Sequence, residues 1–592
     1  MSRREQPVDE GRRQRRNSSR NHRNSGGSGR GKGNDATRRA ASTIHRATAA
    51  QMATRQRDIS VSEFFAKNRH LLGFDSPNKA LLTTVKEAVD NSLDACEEAG
   101  ILPEIWVEIT EGQREGTFVV AVEDNGPGIV EKQIGKIFGK LLYGSKFHKL
   151  AQSRGQQGIG ISAAGMYGQL TTGKPMRIVT RTRGRKMAWE LVLSIDTTKN
   201  RPHLRSKEQV EWHRHQGTRV EIEMEASYTH GYHSVEMYLK QTAITNPHVT
   251  LHLTDPDGTR HTWPRGVHRL PRRPTEIKPH PHGLELGRLV QMLHDTRARH
   301  LKRFLVDELS RVGPKTADDI LHPARAKVTA RSNPHRIAHK QADALYRAIN
   351  STPISAPDTS CVVPIGVDGI VEGLQKEVEA QLYTAVSRPP AVYRGNPFVV
   401  EVGIAYGRPE VEYEVRGDGH IRKHERSRAR DPERDLLGDA DDPVRLLRFA
   451  NRVPLLYQQS ACAMTKAVIQ TNWKSYGLKQ PRGGLPLAPM AILVHVASVW
   501  VPFTSESKEA IAGYPEIAKE LRLALQECGR GLQAHLRRTR KLQQEYARRT
   551  EIEKYLPYVG EALQEVLELS GRERRRVEKT LDDILHRSRQ AP

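Results

Sequence analysis

A chain of 592 residues with a formal charge of +25 is too long for one hydrophobic core and basic enough to seek an anion, so two to four domains and a nucleic-acid partner are expected. The absence of any apolar run of about 18 residues, or of an apolar leader, argues against a membrane-spanning helix and a secretory signal and favours the cytoplasm. The cysteines Cys96, Cys361, Cys462 and Cys528 form no C-x-x-C pair, which argues against a thiolate zinc site and a disulfide scaffold.

Residues 1–57 carry 15 Lys/Arg against 4 Asp/Glu in a Ser, Asn and Gly background, a composition that buries too little surface to fold. This segment reads as a disordered basic arm that either holds DNA loosely or keeps the chain soluble. From about residue 58 the pattern becomes helical, and Leu81, Leu82, Val85, Val89, Leu93 and Cys96 recur at helical spacing over 80–98. Strands are predicted over 105–109, 117–122, 177–182, 188–194 and 219–223, giving an α+β layer with its helices on one face. A small helical insert follows, with helices over 284–294, 300–309 and 315–321. β-branched stretches over 361–407 and 490–502 alternate with helices predicted over 371–382 and 445–473, which makes a second α/β body. Residues 507–549 read as one long charged helix, a stalk, and 551–586 as another.

The residues that point to chemistry begin with Glu87, Asn91 and Asp94, which stand at i, i+4 and i+7 and share one helix face. A carboxylate beside an amide oxygen suits hydrolysis of a magnesium-bound triphosphate, the first orienting and deprotonating water and the second ligating a hard cation. Taken alone, such a pair is more often a solvated face. A second element raises its value. Glu123 to Gly128 follows a predicted strand and sets Asp124 at the lip of a tight turn, where it can accept a hydrogen bond from the adenine amine while Gly126 and Gly128 let backbone approach the base.

The third element, Arg154 to Gly165, is a glycine-rich loop that runs into a helix, an arrangement whose free N–H groups favour phosphate. Its G-x-G-x-x-A match at Gly158 to Ala163 lacks a preceding strand and a following acid, so a dinucleotide fingerprint is set aside. Gly26 to Lys32 mimics a P-loop, yet residue 33 is Gly where a hydroxyl is required. Finally, Gly217 and Thr218 open a strand and would bring a small hydroxyl to Asp124.

In this order the four elements resemble the nucleotide-binding boxes of the gyrase, heat-shock chaperone, histidine kinase and mismatch-repair ATPase (GHKL, or Bergerat) superfamily. The stretches Phe138 to His148, Ser153 to Ser162, Leu447 to Gln458 and Val494 to Glu506 resemble, more narrowly, the topoisomerase VI B-subunit family of type IIB topoisomerases. That resemblance implies an α+β fold with a Bergerat ATPase domain over 58–270 and a helix-two-turns-helix domain over 271–350. It further implies a transducer α/β domain of ribosomal S5-like type over 351–506 and C-terminal stalk helices over 507–592.

The resemblance also implies roles. Glu87 becomes the general base, Asn91 the magnesium ligand and Asp124 the adenine contact. Asp94, Gly128, Lys146, Gly155, Gln156, Gln157, Gly158, Ile159, Gly160, Ile161, Ser162 and Thr218 complete the ATP site. The segment Trp473 to Tyr476 resembles the one whose lysine reaches the γ-phosphate, which selects Lys474, with Lys479 second. Arg311 to Ala317 resembles the helix-two-turns-helix turn, which can offer backbone amides and a lysine to a phosphate, although structural packing is an equally good account. Lys278 to His282 invites a metal assignment, but a Pro-rich linker is the better account.

Two departures from the family pattern are expected: a strap within 57–74 preceded by the longer basic arm, and no immunoglobulin-like C-terminal domain. Because none of the 16 tyrosines sits in an acidic cluster, DNA cleavage is assigned to a separate A subunit bound through the stalk, and the resemblance implies an A2B2 heterotetramer. ATP would then dimerise two copies of this chain around double-stranded DNA. The stalk residues Arg530, Arg537, Arg538, Arg540 and Lys541 either line the DNA path or form a solvated face. A scaffold partner of a DNA-break enzyme and a mismatch-repair or chaperone ATPase remain the competing assignments.

Overall fold

A computed structural model describes residues 48–587 apart from 55, 57, 147–148, 156–157, 323–326, 409–410, 416–420, 426–435 and 506. The chain divides into Met1–Asp58 and Ile59–Pro592. Most of the expected basic arm lies outside the described residues. The described part of the first unit holds one short helix, α1 (Ala49–Ala53), closed by a capping box between Thr48 and Gln51.

The second unit opens with α2 (Val61–Lys67), capped by Ser60, and α3 (Pro77–Ala99), capped by Ser76 with Pro77 in the first turn, where a missing N–H costs nothing. Eight strands follow: β1 (Glu104–Glu111), β2 (Thr117–Asp124), β3 (Met176–Arg181), β4 (Ala188–Asp196), β5 (Arg201–Val210), β6 (Gly217–Glu225), β7 (Thr250–Thr254) and β8 (Arg260–Trp263). They form one sheet in the order β5-β4-β3-β6-β2-β1-β7-β8, with β1 and β7 parallel. Ile105, Val107 and Ile109 alternate inward from β1, and α3, α4 (Glu131–Gly139) and α5 (Gly160–Thr172) cover that apolar face. Each large apolar side chain buried there stabilises the layer by about 1.5–3 kcal/mol. Burial therefore fixes α3 against the sheet, which in turn fixes where Glu87 and Asn91 point. The α6 helix (Val235–Thr245) joins this layer to the second body, because Met237 and Ile244 share an apolar cluster with Ile370 and Leu374.

Four helices, α7 (Leu286–Asp295), α8 (Leu301–Glu308), α9 (Pro314–Ile320) and α10 (His339–Ser351), bury their own core around Leu289, Phe304, Leu305 and Leu345. His280 Nε2 and His282 Nε2 each lie 3.0 Å from a backbone carbonyl oxygen, of Ser355 and Thr352 respectively. The histidine-containing linker is thus tied to the chain leaving the insert.

The second body contains α11 (Val367–Glu377), β9 (Leu382–Ser387), β10 (Ala391–Tyr393), β11 (Asn396–Tyr406), the hairpin β12 (Val411–Val415) and β13 (Ile421–Glu425), β14 (Arg445–Ala450), β15 (Val453–Pro454), α12 (Ala463–Gln470) and β16 (Met490–Ser498). Its main sheet runs β10-β11-β16-β14-β15, with β9 also paired to β11. The helices α13 (Pro515–Glu553), α14 (Leu556–Leu567) and α15 (Gly571–Arg587) follow, and Ile517, Leu521, Leu525 and Leu532 of α13 pack on the sheet.

Several expectations need correcting. Residues 445–473 are not one helix: β14 pairs in parallel with β16, Asn451 and Arg452 turn the chain at φ of 49° and 69°, and only α12 is helical. The predicted 371–382 helix runs earlier, over α11, and gives way to β9. The long helix starts at Pro515, because the chain first makes a loop from Phe503 to Ile511. The 551–586 helix is two helices, broken where Glu568 takes a left-handed conformation at φ 50°. The strands β5, β7 and β8 were not predicted.

Candidate nucleotide site

A cavity of about 600 Å³ opens between α3, the β2 turn, the glycine-rich segment and α5, a volume suited to a nucleotide-sized ligand. Glu87, Asn91, Asp124, Gly128, Lys146, Gly155, Gly158, Ile159, Gly160, Ile161, Ser162 and Thr218 all line it, so the structure brings most of the predicted set together. Gln156 and Gln157 lie outside the described residues.

At one end the Asp124 carboxylate is buried. Oδ1 accepts the N–H groups of Gly126 at 2.8 Å and Thr218 at 3.2 Å, and Oδ2 accepts the Ser92 hydroxyl at 2.9 Å. Burial pushes the Asp124 pKa up to about 6, and these three hydrogen bonds oppose the rise. The hydroxyl expected from Thr218 instead sits 3.0 Å from that of Thr180, and the residue reaches Asp124 through its backbone. Ser92 was missed by sequence reasoning, although its place beside Asn91 on a helix is a signal. Gly128 has φ 71°, and a β-carbon there would collide with the Arg181 carbonyl, so the turn requires glycine.

At the other end, Glu87 and Asn91 lie one turn apart on the cavity side of α3. The N-terminus of α5 faces them so closely that a β-carbon on Gly160 would collide with the Glu87 carboxylate. Ile159, at the N-cap, offers no side-chain acceptor, and the first-turn N–H groups of α5 have no intrahelical partner. The Ser162 hydroxyl is spent on the carbonyls of Ile137 and Lys140, leaving its backbone N–H as the group available to a phosphate.

Asp94 is on the predicted helix but does not line the cavity. It pairs with Lys146 Nζ at 2.6 Å and Arg154 at 2.9 Å. The buried Arg154 guanidinium also holds Glu97 at 2.7 Å and the Asn246 side-chain oxygen at 2.6 Å. Burial would raise the Glu97 pKa, and Arg154 outweighs it and holds the carboxyl well below the usual range. Asp94 therefore anchors the glycine-rich segment. Two further lining residues escaped sequence reasoning: the Tyr143 hydroxyl donates to Gln133 Oε1 at 2.7 Å, bonding this segment to α4.

The base of the same segment is stitched to the second body. Gln152 N–H donates to the Cys361 carbonyl at 2.9 Å, Val363 N–H to Gln152 Oε1 at 2.7 Å, and Asn451 Nδ2 to the Ser153 carbonyl at 3.0 Å. The structure does not bring Lys474 to the cavity. It is exposed on a short turn packed against α13, where Gln533 donates to the Ser475 carbonyl. Lys479 is also exposed and pairs with Asp441 at 2.9 Å. The lysine from the second body that lines the cavity is Lys508, carried by the loop between β16 and α13.

A helix-borne Glu and Asn, an acidic turn and a glycine-rich lid around one cavity define an ATPase of the Bergerat class. Residues 77–227 match the family of histidine kinase-, DNA gyrase B- and HSP90-like ATPases, and residues 357–548 match the transducer of the topoisomerase VI B subunit. The chain is 46% identical over 536 residues to the B subunit of type 2 DNA topoisomerase 6 from Archaeoglobus fulgidus, covering 90% of this chain and 84% of that one. It is 47% identical over 521 residues to the same protein of Methanococcoides burtonii, covering 88% and 79%, and 35% identical over 722 residues to that of Natronomonas pharaonis, covering 91% and 86%. The chain belongs to the topoisomerase VI B-subunit family, the ATPase subunits of type IIB DNA topoisomerases. It combines a Bergerat ATPase domain, a transducer domain and a long C-terminal helix. Among the described residues no helix is long and apolar enough to cross a membrane.

Proposed function

We propose that ATP binding closes two copies of this chain into a gate, and that hydrolysis reopens it to time the passage of one DNA duplex through a break made by a separate A subunit. The observation that carries this reading is that Asp124, Glu87, Asn91, the lid glycines and Lys508 all line one cavity; in this reading Asp124 receives the base and the others surround the phosphates. Glu87 is the general base that orients and deprotonates the attacking water, and the free amides at the start of α5 hold phosphate oxygens. Lys508 replaces Lys474 as the proposed γ-phosphate contact, because it reaches the cavity from the transducer and neutralises charge that grows during transfer.

The Asn91 amide oxygen, a hard donor lining the cavity within one turn of Glu87, fits a magnesium ion completed by phosphate and water oxygens. When bound, that ion would neutralise charge on the triphosphate. Asp94 holds the lid through Lys146 and Arg154 and does not touch the nucleotide.

In the same reading, residues 58–270 form the ATPase domain and 271–350 a helix-two-turns-helix domain; the S5-like transducer expected over 351–506 extends through the Lys508 loop and the bedded half of α13, since its match runs to residue 548, and the helices beyond form the stalk that binds the A subunit in an A2B2 assembly. The basic arm over 1–57 and the positive balance of the chain favour double-stranded DNA as the remaining partner. A purely structural scaffold gives no reason to keep Glu87 and the lid glycines at the mouth of an open cavity. The deciding experiment is ATP-dependent relaxation of supercoiled DNA by the chain purified with an A subunit. Relaxation that persists without ATP, or fails with every A subunit, would overturn the reading.

A further inference from the structure

The residue after Lys508 is Glu509, whose carboxylate is buried, with the residue only 5% exposed. A charge removed from water requires a partner. That partner is Lys79, in the first turn of α3. The Lys79 ammonium also pairs with Asp75 at 3.1 Å and lies 5.1 Å from the centre of the Tyr457 ring. Burial alone would lower the Lys79 pKa, and the two carboxylates outweigh it and hold the ammonium charged. Tyr457 comes from the Leu447 to Gln458 segment, so two separate parts of the transducer close on one ammonium of the ATPase domain.

Lys79, Thr83, Glu87 and Asn91 succeed one another at four-residue spacing and share one face of α3. Lys79 thus lies two turns, about 12 Å, before the proposed base along the same rod. Thr83 lines the cavity and donates its hydroxyl to the Gly73 carbonyl at 3.1 Å. Lys508 itself sits at φ 53°, a left-handed conformation that a residue with a β-carbon adopts only when its surroundings impose it. Its N–H donates to the Ser505 carbonyl at 3.1 Å, and Thr504 N–H donates to the Ala510 carbonyl at 2.9 Å, so two backbone hydrogen bonds hold Lys508 and its described neighbours. The buried side chain of Glu509 anchors that loop beside Lys508.

We infer that the Lys79–Glu509 ion pair is the latch that presents Lys508 to the phosphate end of the cavity, making both members positioning residues for hydrolysis and nucleotide-driven closure. The inference rests on Lys508 as the phosphate contact. Asp75 lets the latch open without leaving a buried ammonium unpaired: its side chain is 44% exposed, and it retains Lys79 when Glu509 leaves with its loop.

The test uses the full-length chain with Lys508→Ala, Lys79→Met, Glu509→Gln, the Lys79→Met/Glu509→Gln double variant and Lys79→Arg. Each is measured for steady-state ATP turnover, dimerisation on a non-hydrolysable ATP analogue, and melting temperature. Lys508→Ala is expected to lower kcat by about tenfold or more. Lys79→Met and Glu509→Gln should each lower kcat by about threefold to tenfold with KM within about twofold, the double variant should be no worse than the weaker single, and Lys79→Arg should recover most of the rate. Wild-type turnover in both single variants while Lys508→Ala is impaired would overturn the latch alone, as would a double variant whose loss is the product of the singles. A lowered melting temperature with intact kcat would reduce the pair to a packing contact. Unchanged turnover and dimerisation in Lys508→Ala would be a different failure, removing Lys508 from the phosphate site and the latch with it.

Discussion

At one end of the cavity Asp124 already accepts three hydrogen bonds, from Ser92, Gly126 and Thr218, whereas the other end, where we propose the phosphates lie, is lined by Glu87 and Asn91 of α3, the start of α5 and Lys508. The first end is pre-organised by residues of one domain. The second is assembled from α3, the lid and a transducer loop, and so it is the end whose state depends on how the two domains are held. Under the proposed function, recognition and timing would be separated along one cavity: the base would bind at the end that is already hydrogen-bonded, and the phosphates would draw the separate contributors together.

The strongest way to break this division is Glu87→Gln. It should lower kcat by about 10²–10⁴ while ATP affinity stays within a few-fold, read from phosphate release and from dimerisation on nucleotide. Residual turnover near wild type would remove the base from the phosphate end. Next, Asp124→Asn should weaken ATP binding by about tenfold to a hundredfold, the loss of a hydrogen bond to a charged acceptor, with little effect on kcat at saturation.

The same residue carries a pH signature. In the proposed site the ionised carboxylate is the better acceptor for the adenine amine, so wild-type affinity should fall as pH drops below about 6, and the Asp124→Asn variant should lack that component when the two are titrated side by side. The stability sign is opposite. Asp124 binds its proton more readily folded than unfolded, where its pKa is near 3.8, so its contribution to stability rises as pH falls from about 6 toward 4. The smallest effect is expected for Tyr143→Phe, which deletes the neutral bond from lid to α4. It should raise the KM for ATP by about threefold to tenfold and leave the pH profile unchanged. A larger effect than that of Asp124→Asn would show that the lid, and not the base turn, dominates recognition.

The parts legible in the sequence were those fixed by short-range spacing. Helical period placed α3 and its polar face, a strand followed by Asp124 and glycines placed the base turn, and the glycines before α5 placed the lid. The rest failed for identifiable reasons. β14, which pairs in parallel with β16, is six residues with Arg448 buried among Leu446, Leu447, Phe449 and Ala450, and so short a strand with no polar alternation cannot be told from a helix by periodicity. The edge strand β5 is exposed along most of its length and carries no alternation to detect. Asp94 shares a face with Glu87, but Lys146 and Arg154 reach it first, from a segment over 50 residues away. Lys474 and Lys508 both follow polar turns, and only the packing of the transducer loop against α3 distinguishes them.

The helix α13 has 39 residues, and at 1.5 Å per residue it is a rod about 58 Å long. Its first half is bedded in the transducer core through Ile517, Leu521, Leu525 and Leu532, so it turns when that sheet turns. A tilt of about 5° at the root sweeps the tip through roughly 5 Å, about one helical turn. In the proposed gate α13 would thus act as a lever, turning a rotation of a few degrees in the transducer sheet into a displacement of several ångströms at its far end.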